Sequence, residues 1–390
     1  MELVRFDILV VAAIAALAPV LADLSRRAAV PIVVAEIFLG IIVGPQVLDL
    51  AHTDDFISAL STFGLAFLFF LAGMEIDFQR IRGAPLNRGL TGWGMSLVLG
   101  TVIAIVLHVT GVIHATVLVA LALTTTAMGT LMPILRDAGI LDQRFGDFVI
   151  GAGAVGEFGP VIAVSIILAF DADEAWHTIL LFVFAAIAVG TALLALRARP
   201  ARVVRLVATT MGTSGQLAVR LALLLIVGLA VLASEFGLDV ILGAFAAGLI
   251  TGIIIRGTEA HEFKAKLDAV GFGFLIPVFF IATGMDYDVD GLFSSAASLA
   301  LVPGFALLFL VSRGLPVFLL YRKDIDASER WPLALFSAAA LPLLVAITQI
   351  GLDTHTMRPE VAVSLLGAGM LSVLVYPLLA LAIRRRARAR

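Results

Sequence analysis

Phe69-Phe70-Leu71-Ala72-Gly73-Met74-Glu75-Ile76-Asp77 and Phe279-Phe280-Ile281-Ala282-Thr283-Gly284-Met285-Asp286-Tyr287-Asp288 are near copies, about 210 residues apart. At nearly the same offset, Gly40-Ile41-Ile42-Val43-Gly44 returns as Gly248-Leu249-Ile250-Thr251-Gly252. Two matches sharing one offset mark an internal repeat. Both lie in apolar runs, and matching runs are seven apart along the chain. Seven is odd, so if every run crosses a membrane the second copy runs through it in the opposite direction to the first, which is inverted-repeat topology.

Composition supports the crossing. Hydrophobic residues make up 61% of 390, charged residues 14%, and mean hydropathy is +1.10, more apolar surface than one globular core can bury. The runs are about 18 to 25 residues long, the length a helix needs to cross roughly 30 Å of hydrocarbon. The shorter alternating segments of a membrane barrel are absent from the pattern. The expected fold is an all-α polytopic membrane protein of about thirteen spans, near 6–23, 30–49, 56–78, 89–108, 112–135, 147–169, 176–196, 217–234, 239–255, 268–285, 293–320, 331–350 and 361–383. One transmembrane domain, 1–390, then divides into a first repeat, 1–170, a linking helix and loop, 171–210, and a second repeat, 211–390.

Arginine and lysine fall on alternate connections: Arg26 and Arg27, Arg80 to Arg88, Arg136 and Arg144, Arg197 to Arg205, Arg256 to Lys266, Arg322 to Arg330, and the tail from Arg384. The opposite connections are acidic, as at Asp54-Asp55, Asp171 to Glu174 and Asp286 to Asp290. The positive-inside rule then places the N-terminus outside and the C-terminus in the cytoplasm of a bacterial-type inner membrane. The first run reads as a retained span, because Glu2 and Asp7 accompany Arg5 at its head and Arg26-Arg27 close it. Beside the last span, the basic tail reads as an anchor on anionic lipid, not a nucleic-acid surface. The chain has no cysteine, which rules out disulfides and thiolate chemistry.

Ionisable residues deep in a span are expensive and point to function. Glu157, in Gly151-Ala152-Gly153-Ala154-Val155-Gly156-Glu157-Phe158-Gly159-Pro160, is the deepest carboxyl, able to carry a proton or, once ionised, a cation. Arg313 lies inside span eleven, placed either to neutralise a helix end or carboxylate or to snorkel to the cytoplasm. Glu36, in span two, is expected to pair with a cation or hydrogen-bond donor. Span five carries Thr124-Thr125-Thr126-Ala127-Met128-Gly129-Thr130 before Pro133, and span twelve carries Ser337-Ala338-Ala339-Ala340-Leu341-Pro342. These corresponding small-residue and proline interruptions, with Gly129, Pro133 and Pro342 as breakers, read either as close packing or as broken helices lining a midplane site. Of the six histidines, His52, His108, His114, His177 and His355 fall on the expected outer side and His261 on the inner, and none has metal-ligand spacing.

These passages, with Pro31 to Pro45, Gly64 to Asp77, Leu123 to Gly139 and Phe236 to Gly248, resemble the monovalent cation:proton antiporter superfamily, particularly its second, Kef- and NapA-type family. The resemblance spans nearly the whole chain. It implies an NhaA/NapA-like fold with two crossed, discontinuous helices, a homodimer with a dimerisation half and a mobile core half, and an acidic residue exchanging Na+ or K+ for H+. Glu157 matches that acidic position, with Thr124, Thr125 and Thr126 supplying oxygens to the ion and Arg313 resembling the family's basic residue. No cofactor is implied. The family usually has Asp at this position after Asp, Asn or Gln, whereas Gly156 precedes Glu157 here. One titrating carboxyl implies electroneutral exchange. Kef-type members often continue into a nucleotide-binding domain, so such control is expected from another chain.

Competing readings are an inverted-repeat carrier for an anion or organic solute, kept open by Arg313, and a non-transporting homologue, kept open by Gly156. An intramembrane serine protease would use Ser214 in Gly212-Thr213-Ser214-Gly215, but no histidine lies deep inside a span to act as its base, so no enzyme is expected.

Overall fold

A computed structural model describes residues 6–24, 31–75, 81–141, 143–171, 186, 190, 215–236, 240–255, 258–293 and 295–388. Every regular element among them is helical. In chain order they are α1 (Phe6–Leu24), α2 (Ile32–Val43), α3 (Asp55–Glu75), α4 (Ala84–Val109), α5 (Thr116–Ala122), α6 (Met128–Asp137), α7 (Arg144–Asp171), α8 (Leu217–Glu235), α9 (Val240–Ile254) and α10 (Thr258–Val270). A π-turn at Gly271–Leu275 leads from α10 into α11 (Ile276–Met285). Then come α12 (Val289–Phe293), α13 (Ala296–Leu320), α14 (Ala327–Ala338), α15 (Pro342–Asp353) and α16 (Pro359–Arg388).

Eight helical stretches among the described residues are long and apolar enough to cross a membrane, counting α14 and α15 together, and α1, α2 and α9 are shorter apolar helices. With the interrupted pair α5 and α6, a helix stands at each expected span except 176–196. That segment, and with it the linking region 171–210 beyond Asp171, lies outside the described residues, as does Ser214.

The chain separates into two compact units. The first draws on 1–15, 53–77 and 165–282, the second on 16–52, 78–164 and 283–390. In the first, α3 lies against α9 at backbone distance, because glycines remove the side chains that would hold them apart. A Cβ on Gly73 would stand 2.5 Å from the carbonyl of Phe245 and 3.0 Å from the nitrogen of Leu249, and one on Gly252 would stand 2.7 Å from the carbonyl of Met74. Lys264 bonds Glu75 at 2.6 Å at the end of α3.

In the second unit the same contacts recur between α2 and the end of α11. A Cβ on Gly284 would collide with the carbonyl of Ile37 and stand 2.9 Å from the nitrogen of Ile41, and one on Gly44 would stand 2.9 Å from Met285 Cα. This unit also holds both interrupted pairs, packed with α4, α7, α13 and α16.

Candidate functional site

Glu157 sits midway along α7 and is 4% exposed. It follows Gly156, whose carbonyl accepts a 3.0 Å hydrogen bond from the backbone nitrogen of Thr126 in the gap between α5 and α6. That gap runs from Leu123 to Ala127, ahead of Gly129 and Pro133, which both lie inside α6. The expected breakers are therefore not what ends the helix. The threonines are. Thr124 Oγ1 and Thr125 Oγ1 donate back to the carbonyls of Leu121 and Ala122 at 2.7 and 2.8 Å, competing with the helical ladder. The nitrogens of Thr126 and Ala127 instead bond Gly156 and Ala339. Pro342 does stand at a break, as the first residue of α15, where its missing N–H costs nothing.

The two interruptions meet directly. The nitrogen of Ala127 donates to the carbonyl of Ala339 at 2.7 Å, and Thr126 Oγ1 donates to the carbonyl of Ser337 at 2.6 Å. Ser372 on α16 closes the second gap, accepting from the nitrogen of Ala340 at 3.0 Å and donating to its carbonyl at 3.2 Å. Four helix ends therefore converge here, the carbonyl ends of α5 and α14 and the N–H ends of α6 and α15. In the first gap the nitrogens of Thr124, Thr125, Thr126 and Ala127 are all bonded. The carbonyls of Leu123, Thr124, Thr125 and Thr126 accept no hydrogen bond among the described residues. Such oxygens, beside a carboxyl, suit a hard monovalent cation.

Arg313 is 4% exposed and does not snorkel. Nε donates to Thr126 Oγ1 at 3.1 Å and to the Ser337 carbonyl at 3.3 Å, Nη1 to Ser96 Oγ at 3.4 Å, and Nη2 to the Ala152 carbonyl at 2.9 Å. Its charge offsets the carbonyl end of α14. Because neutral protein oxygens already hold it, Arg313 is poorly placed to seize an anionic solute. Ser96 escaped the sequence reading, its only signal being a lone hydroxyl in an apolar run.

Thr124, Thr125, Thr126, Glu157 and Arg313 thus come together from α5–α6, α7 and α13, while Glu36 does not join them. It is 3% exposed on α2, with no hydrogen bond or ion pair among the described residues. The expected pairing is not found among the described residues.

Residues 11–381 match the family model described as sodium/hydrogen exchanger, transmembrane. The Bacillus subtilis protein YjbQ is 26% identical over 388 residues, 95% of this chain and 62% of that one, so the chain spans less than two thirds of this relative. The Na(+)/H(+)-K(+) antiporter GerN of Bacillus cereus is 27% identical over 69% of each chain. In fold, the chain is similar to the sodium proton antiporter MjNhaP1 from Methanocaldococcus jannaschii, with a TM-score of 0.70, 16% identity and coverage of 98% and 97% of the two chains.

Proposed function

The chain belongs to the sodium/hydrogen exchanger transmembrane family, and from that premise we propose that it exchanges Na+ or K+ for H+ by alternating access, with Glu157 as the group for which cation and proton compete. The observation that carries the reading is the buried Glu157, one residue after the carbonyl that bonds Thr126, beside a gap whose backbone donors are bonded and whose carbonyls accept nothing among the described residues. In the loaded state the cation takes ligands from Glu157 and from oxygens of Thr124, Thr125 and Thr126. In the return state a proton replaces it. One cation against one proton on one carboxyl moves no net charge, so the exchange is electroneutral. Arg313 is a positioning residue: it ties Thr126, Ser337 and Ala152 together and holds the gap against α7.

Potassium as an alternative cargo rests on GerN, whose name carries both ions. The arginine pattern supports an outside N-terminus and a cytoplasmic C-terminus in an inner membrane, and the family resemblance supports a homodimer in lipid. The test is dissipation of an imposed pH gradient in proteoliposomes by Na+, K+ and Li+. The wild type is expected to respond to at least one cation, and Glu157→Gln to lose the response by about a hundredfold or more. No response from the wild type to any of the three would overturn the reading.

A further inference from the structure

The basic tail does not turn all its arginines outward. Arg385 and Arg386 are exposed, but Arg384, one residue earlier on α16, is 5% exposed and reaches inward. Its Nε and Nη2 donate to Glu329 Oε1, in the first turn of α14, at 3.1 and 2.8 Å. Nη2 also donates to Gln143 Oε1 at 2.7 Å, and Gln143 Nε2 donates in turn to the Gly139 carbonyl at 2.6 Å, just past the end of α6. The guanidinium lies 4.2 Å from the ring centre of Phe145 at the start of α7, a cation–π contact. One side chain on α16 therefore holds the far ends of α6 and α14, the two half-helices whose near ends bound the gaps at the crossing.

The same helix grips the rest of the crossing. Ser372, about 18 Å along α16 from Arg384, closes the second gap through both backbone groups of Ala340. Arg358, just ahead of α16 and about 21 Å beyond Ser372, donates through Nη2 to the carbonyls of Gly111 and Val112 ahead of α5. α15 runs into α16 through the turn at 354–358. The outer ends of both interrupted pairs are thus tied to one continuous helix, and all of these residues belong to the second unit. Arg384 serves α6 and α14 at once, through an ion pair in which removing either partner leaves the other charge unpaired. We propose that Arg384 is a positioning residue for the exchange reaction, fixing α6 and α14 against α16 so that the oxygens of the first gap keep the spacing the cation needs. The proposal rests on the exchange reading above. At about 15 and 18 Å, α6 and α14 are short and stiff enough to carry a displacement at the clamp to the gaps at their other ends. A misplacement of about 1 Å between reacting groups costs on the order of a hundredfold, and ligands around a bare ion are no more tolerant. Loosening the clamp accordingly weakens cation binding more than it slows translocation. Charge alone predicts the reverse for Arg384, since losing a cationic group draws cations toward that end of the protein.

Exchange by the full-length protein in proteoliposomes, measured over a range of cation concentration and normalised to folded protein, tests it. Arg384→Met and Glu329→Met are each expected to raise the half-saturating cation concentration about tenfold, with the maximal rate within about threefold of the wild type. The double variant should do no more than either single change, because both remove the same clamp. Gln143→Ala keeps the ion pair and cuts the branch to α6 at a half-buried connection, so it decides the matter even if the other two fail to fold. It should raise half-saturation about threefold. Arg385→Met, which removes an exposed neighbour, should leave half-saturation unchanged. A maximal rate that falls at unchanged half-saturation means a merely structural arginine and overturns the proposal. So do unchanged kinetics in the variants, additive rises in the double variant, or an equal rise in Arg385→Met. A wild type that moves no cation against protons overturns the exchange reading, and with it any ion site for Arg384 to position. A wild type that exchanges, beside variants of normal half-saturation, overturns the clamp alone.

Discussion

A Cβ on Gly156 would collide with Nη2 of Arg313 and stand 2.5 Å from Thr126 Oγ1. The side chain that the antiporter resemblance places before the acidic residue has no room in this chain, because the guanidinium occupies its space. Gly156→Ala is accordingly expected to displace Arg313 and lower exchange about tenfold or more, with the protein still eluting as a folded species on size exclusion. Glu36 poses the opposite case, a carboxyl with no partner among the described residues. Replacing it with an apolar side chain of similar size removes a desolvation cost, so Glu36→Leu should raise the thermal midpoint, by an amount equivalent to about 1 to 3 kcal/mol. A fall in midpoint would mean that the carboxyl has a partner in the membrane. At this scale the sequence was legible where a single residue violated its surroundings, as Glu157 and Arg313 do in apolar runs. It was not legible for Gly156 or Ser96, whose roles come from contacts with residues far along the chain.

Among the elements, the broken helices were legible in place but not in cause. Glycine and proline drew attention to spans five and twelve, yet in α5–α6 the break comes from Thr124 and Thr125, which offer side-chain bonds to the preceding turn, and from Gly156 on α7 and Ala339 just past α14, which claim the freed nitrogens. Propensity rules see the first effect weakly and the second not at all. Thr126 joins the two breaks through a hydroxyl that donates to Ser337 and accepts from Arg313. Thr126→Val keeps the shape and removes both bonds. It should cost about 1 to 3 kcal/mol in thermal or denaturant stability and reduce exchange well below the wild type. For the α3–α9 pair, Gly248 faces the carbonyl of Phe70 with no space for a methyl group. Gly248→Leu should lower the yield of folded protein in detergent, measured by monodispersity, far more than the same change at Gly228, where a Cβ meets nothing.

For the whole molecule, the span pattern was legible because helix length and hydropathy answer to the bilayer, which treats every span alike. The division into two compact units was not, since it depends on which spans pack together. The recurrence of Gly73 on Phe245 as Gly284 on Ile37, and of Gly252 on Met74 as Gly44 on Met285, pairs residues at the repeat offset in each case. This supports 1–170 and 211–390 as inverted repeats. Orientation is open to a direct test, because the chain has no cysteine to confuse it. A single cysteine at Asp54 should react with an impermeant maleimide in intact cells, and one at Lys323 only after permeabilisation; the reverse pattern would invert the assigned topology.

The two units are interleaved along the chain, the first from three separate stretches and the second from the other three. Neither can therefore be completed in the order in which the ribosome delivers the chain. Gly73 must wait in the bilayer for Phe245, roughly 10 to 35 s at about 5 to 20 residues per second. The crossing waits longer still. Its second segment, Ser337 to Leu341, follows Thr126 by 211 residues, and Ser372, which holds that segment, comes later again. A chain still being made then lacks the assembled crossing, so the nascent protein is expected to enter the membrane without a leak for protons or cations at the proposed ion site.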